Sequence, residues 1–98
     1  GAGQVVLTSA SSKTAMGLAS VARQNSPQIK RIGLTSAGNV AFVEATGLYD
    51  QVVAYDDLGS LPVVDTVSVD FAGNPKLLAA IHGHFADALK YSCLVGAT

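Results

Sequence analysis

The sequence contains one cysteine, no tryptophan and three prolines, and only 13% of its residues are charged. Because Cys93 has no second thiol to pair with, an internal disulfide and any cysteine-cluster metal site are excluded. A reducing, cytoplasmic compartment is therefore the expected one, with Cys93 acting as a small apolar strand residue. Six basic and seven acidic residues are scattered along the chain, giving a formal net charge of −1. No basic patch is present of the kind that nucleic-acid backbones require, so the sequence argues against nucleic acid as a partner. No apolar run approaches the roughly 20 residues that span a bilayer, and no charged-then-apolar leader opens the chain, so neither a membrane nor export is expected. Scarce proline and charge also argue against disorder, because a chain that is 49% hydrophobic has apolar surface enough to offset its ordering entropy. Ninety-eight residues then make one domain with a dry core.

Short β-branched runs alternate with helical stretches: QVVLTS (4–9), RIGLTS (31–36), QVVAY (51–55), TVSVDF (66–71) and YSCLV (91–95). That alternation predicts parallel strands joined by helical crossovers, and strands apolar on both sides of the pleat predict helices on both faces. The fold class is α/β, a three-layer sandwich. A first helix is expected from Ser11 or Ser12, as the capping hydroxyl, to about Gln24, with Ala15, Leu18, Ala19 and Ala22 facing the sheet. Asn25-Ser26-Pro27 ends it. A second helix from about Asn39 turns Val40, Phe42 and Val43 inward and stops at Gly47. For the third, Asn74 caps, Pro75 takes the first turn, and Leu77, Leu78, Ile81, Phe85 and Leu89 recur on one face. The stretch Asp56 to Asp65, broken by Gly59 and Pro62, reads as a loop with at most one helical turn and no fold signal of its own.

Glycine is missing where it is most expected. In a parallel sheet of this kind ligands bind beyond the carboxyl ends of the strands, beside the first one, and dinucleotide folds commonly place glycines there. Here that loop reads LTSASSKTA (7–15), with Ala10, Ser12 and Ala15 at the small positions. Small side chains meet part of the steric demand, the hydroxyls of Ser9, Ser11 and Ser12 add donors, and a helix N-terminus offers free N–H groups. Lys13 adds a full positive charge. A nucleoside-triphosphate loop is the rival pattern, since Lys13-Thr14 matches its end, but it needs glycine at positions 7 and 12, where Leu7 and Ser12 stand. The bland alternative is a capped helix start with no ligand.

The stretches TSASSKTA (8–15), LTSAGNVAFVE (34–44) and YDQVVAYDDL (49–58) together resemble the nucleotide-binding domain of the medium-chain dehydrogenase/reductase superfamily. The resemblance is to its zinc-independent quinone-reductase and enoyl-reductase branch, and in particular to a group of uncharacterised bacterial proteins at its edge. It spans residues 4–98 and covers only the cofactor domain of such enzymes. It implies a Rossmann-like sheet of five parallel strands in order 3-2-1-4-5. It also implies that the chain is an NAD(P)-binding domain, part of a longer two-domain oxidoreductase and inactive alone, since the substrate of such enzymes sits against a separate catalytic barrel. The quinone-reductase first loop falls on Ser9, Ala10, Ser11, Ser12, Lys13, Thr14 and Ala15, and none of its three glycines is kept.

At the end of the second strand, Thr35-Ser36 stand where NAD-preferring relatives place an acidic residue, which points to NADP. The tyrosine with which relatives hold the 2′-phosphate falls on Tyr55, and their lysine falls on Asn39, leaving Lys13 as a substitute cation. The turn Asp70, Ala72, Gly73 and Asn74 matches the approach to the nicotinamide ribose. Val95, Gly96 and Ala97 match the backbone groups that receive the nicotinamide. For Asp70 and the glycines, ordinary turn chemistry is the competing reading.

Other residues that look chemical are read as structural. His82 and His84, two apart on a helix, point about 200° away from one another, whereas metal pairs prefer spacings of three or four. Asp56 and Asp57 read as solvated loop carboxylates, and no nucleophile triad is suggested by spacing. Two functional classes follow: the NADP-binding part of an oxidoreductase that reduces a carbonyl, quinone or enone, or a sensing and interaction module on a dinucleotide fold that has lost tight binding. A flavin-binding or flavodoxin-like regulatory domain would have to draw on Asp70, Tyr55 and Phe71. The strand 91–95, at a sheet edge with little charge, suggests a homodimer through that edge.

Overall fold

A computed structural model describes residues 3–26, 28–71 and 75–94. Five parallel strands form one sheet: β1 (Gln4–Leu7), β2 (Lys30–Thr35), β3 (Gln51–Ala54), β4 (Thr66–Asp70) and β5 (Leu89–Leu94). Their order is β3-β2-β1-β4-β5, the order expected, and it is consistent with right-handed crossovers. Three helices, α1 (Lys13–Asn25), α2 (Val40–Thr46) and α3 (Pro75–Phe85), complete the sandwich.

The period of two in the strands sends alternate side chains to opposite faces. On one face Val5, Leu7 and Val52 meet Met16 and Ala19 of α1, Val43 of α2 and Tyr49. On the other, Val6, Ile32, Leu34 and Val53 meet Leu77, Ile81 and Phe85 of α3. Leu58 and Leu61 join this second cluster. The segment read as a loop without fold signal is therefore a 3-10 helix, Tyr55–Ser60, that covers the sheet beside α3. Leu58 lies within that helix and Leu61 follows its end, a single apolar pair too short to mark an element by periodicity.

Helix boundaries follow local chemistry. Ser12 caps α1, its hydroxyl accepting the Ala15 N–H at 3.2 Å. Gly47 closes α2 at φ 69, the left-handed region that glycine enters without a Cβ clash. Three expectations need correction. Phe42 is 57% exposed on α2 rather than inward, and Leu18 is 37% exposed on α1. Leu89 does not extend the face of α3: Ala86, at φ 44, breaks the helix, and Leu89 opens β5 while still packing on the same core. An irregularity in the β4–β5 register follows, with Thr66 opposite Leu89 and Val67 opposite Tyr91, so Lys90 is skipped.

Candidate functional site

Every parallel strand ends at the same edge of the sheet, and the connections from β1 and β4 leave toward opposite faces. The crevice outside these carboxyl ends, between β1 and β4, is the usual ligand position of such sheets. Here β1 and β4 are tied together at that point. The fully buried Thr8 donates its hydroxyl proton to Asp70 Oδ1 at 2.6 Å and accepts the Phe71 N–H at 2.8 Å, while its own N–H reaches the Val69 carbonyl at 3.1 Å.

The glycine-free loop is held by partners from distant parts of the chain. Ser9 adopts φ 49, a left-handed conformation rare outside glycine, and its N–H donates to the Tyr55 hydroxyl at 3.0 Å. Ala10 is fully buried; its N–H donates to the Leu34 carbonyl at 3.0 Å, and its carbonyl accepts the Tyr49 hydroxyl proton at 3.0 Å. Ser12 N–H closes the turn on the Ser9 carbonyl at 2.8 Å. Burial pushes the Tyr49 phenol up to about 12.

The glycine that permits close packing here sits on β2 instead of in the loop. A Cβ added at Gly33 would stand 2.9 Å from the Ala10 Cβ and 3.0 Å from Cγ of Tyr49. Steric room that dinucleotide folds create with a loop glycine is thus supplied from the neighbouring strand. Gly33, Tyr49 and Thr8 were missed as site-shaping residues. Only Gly33 had a local signal, since glycine inside a strand marks a close approach.

The described residues expected to bind ligand fall at one edge. Ser9, Ser11 and Ser12 are half-buried in the loop, while Lys13 and Thr14 are exposed on the first turn of α1, which contains no acidic residue. The N–H groups of Ser11, Lys13 and Thr14 have no acceptor among the described residues. After β2, Ser36 and Asn39 are exposed and joined by a bond from Asn39 Nδ2 to Ser36 Oγ at 3.0 Å. Tyr55 follows β3 and is half-buried. Asp70 is fully buried, so its carboxylate serves the β1–β4 tie and presents no surface to a ligand in this conformation. Ala72, Gly73, Asn74, Val95, Gly96 and Ala97 lie outside the described residues.

The edge can accept an anion through free N–H groups, hydroxyls and one ammonium. Among the described residues no group of three or more His, Cys, Asp or Glu is placed to hold a metal ion. His84 Nε2 lies 2.8 Å from the Leu61 carbonyl, and its ring meets Phe85 edge-on at 4.8 Å, so it is a packing residue; His82 is exposed. No helix among the described residues is long and apolar enough to cross a membrane. A separate apolar cavity of about 240 Å³ opens beside α1, lined by Leu7, Leu18, Ala22, Ile29, Val67 and Val69.

Residues 1–98 match the model of a family described as Protein of unknown function (DUF2855). The chain belongs to that family. No curated protein and no solved structure matches the chain.

Proposed function

We propose that the chain binds a pyridine dinucleotide, NADP in preference to NAD, at the carboxyl edge of the sheet, as the cofactor-binding part of an oxidoreductase. The observation that carries this reading is the start of α1. There, exposed Lys13, three serine hydroxyls and unclaimed N–H groups gather beside β1 in a sheet of order β3-β2-β1-β4-β5, where a helix N-terminus favours a diphosphate. The preference for NADP is supported by the end of β2, where exposed Ser36 and Asn39 stand in place of an acidic residue for the ribose hydroxyls. When bound, the cofactor would supply the hydride chemistry, and these residues would hold and orient it. Transfer to a carbonyl, quinone or enone requires a substrate-holding part beyond the groups described here. The outer edge of β5 has no partner strand among the described residues, and pairing of two copies there belongs to the same proposal, to be read from sizing at high concentration.

A second reading, an interaction module without redox activity, is favoured by one observation: the N–H groups of Ser9, Ala10 and Ser12 are already taken inside the protein. Titration with NADPH separates the two. Its fluorescence should change on binding, and ligand at about 100 times its dissociation constant should stabilise the fold by roughly 2.7 kcal/mol. Lys13→Ala should lower affinity for NADPH more than for NADH. Unchanged melting with either coenzyme favours the interaction module, and an unchanged NADPH preference in Lys13→Ala removes the assigned role of Lys13.

A further inference from the structure

We infer that Tyr55 is a latch across the proposed site, closed in this structure and opened by the ligand; the inference rests on the dinucleotide reading. It starts from strand order. β2 lies between β1 and β3, so β1 and β3 are separated by two interstrand steps, about 9.6 Å at the usual spacing. Tyr55 is the first residue after β3, yet its hydroxyl sits 3.0 Å from the Ser9 nitrogen in the loop after β1. The side chain therefore bridges the carboxyl end of β2, packing on the α3-side core cluster as it goes. A dinucleotide reaching from the start of α1 to Ser36 after β2 would need that same edge.

The character of the contact suits a latch. Ala10 gives its N–H to the Leu34 carbonyl of β2, and Ser12 gives its N–H to the Ser9 carbonyl within the turn. Ser9 alone of the three gives its N–H to a side chain, and that side chain is only half-buried. Rotating one phenol would release the donor and clear the end of β2 without breaking a strand pairing. Tyr49, buried against Gly33, would keep Ala10 in place meanwhile.

Two measurements test this. Tyr55→Phe, its fold checked by circular dichroism, should bind NADPH about 2- to 10-fold more tightly, the value of one net hydrogen bond no longer opposing the ligand. Equal or weaker binding overturns the latch. In the unaltered protein, nuclear magnetic resonance during NADPH titration should show the Ser9 amide and the Tyr55 ring shifting together. Because the chain has no tryptophan, tyrosine emission should change as well. NADPH binding with both resonances unmoved overturns the latch and leaves the dinucleotide reading standing. Absence of any NADPH binding by the unaltered protein removes the reading and the latch together.

Discussion

At the residue scale, the loop after β1 shows how side chains can do the work of missing glycines. Ser9 holds a left-handed backbone without being glycine, at a cost of about 1–2 kcal/mol. Two phenols compensate, one accepting the Ser9 N–H and the other donating to the Ala10 carbonyl. Gly33 is the residue on which this arrangement depends, because its absent Cβ makes room for Ala10 and Tyr49 at once. Both neighbours are buried and neither is a flexible side-chain end, so Gly33→Ala should destabilise by about 1 to 3 kcal/mol in denaturant unfolding. It should also disturb the Ala10 amide before any change at Lys13. An alanine variant as stable as the parent would show that the loop has slack the distances do not reveal.

At the scale of elements, the pairing of β1 with β4 continues past the strand end through side chains. Thr8 both donates to Asp70 and accepts from Phe71, all within a fully buried part of the edge for Thr8 and Asp70. Thr8→Val keeps the volume but leaves an Asp70 oxygen without this donor and the Phe71 N–H without this acceptor, so it should cost at least about 1 to 3 kcal/mol. Thr8→Ser, which restores the hydroxyl, should recover most of the loss. If Val is tolerated as well as Ser, the tie is incidental to the joining of β1 and β4. Across the sheet, Arg31 plays a comparable part: its Nε donates to the Leu48 carbonyl at 2.8 Å, and its N–H donates to Asp50 Oδ2 at 2.8 Å, fixing the turn from α2 into β3. That turn carries Tyr49 to the loop.

For the whole molecule, one titration should be visible in global stability. Tyr49 holds its proton in the fold up to about 12, against 10.0 when unperturbed. Its contribution is therefore complete below 10.0 and is lost as pH rises toward about 12, because in that window the unfolded chain has released the proton and the folded chain has not. Unfolding free energy should fall through this window. Tyr49→Phe, already weaker at neutral pH because the Ala10 carbonyl loses its donor, should show a shallower fall. Parallel curves for the two proteins would mean that Tyr49 titrates alike in both states. The two apolar clusters on either side of the sheet make this a cooperative readout, since losing the loop exposes Leu7, Ala10 and Val43 of one cluster together.

The alternation of β-branched runs with helical stretches was enough to define five parallel strands, because periodicity is a property of neighbouring residues; their order came only with the resemblance and the usual crossover handedness. The serine cap of α1 and the Gly47 stop were legible for the same reason. The cover formed by Leu58 and Leu61 was not, since one apolar pair interrupted by Gly59 and followed by Pro62 is too short to show a period. The site itself was half legible. Lys13 and the serines announce themselves by type, but Tyr55 reaches Ser9 across 46 positions and Tyr49 reaches Ala10 across 39. No local pattern carries such a pairing. It exists because folding sets β1, β2 and β3 side by side, and the chemistry of the loop depends on which distant side chains arrive there.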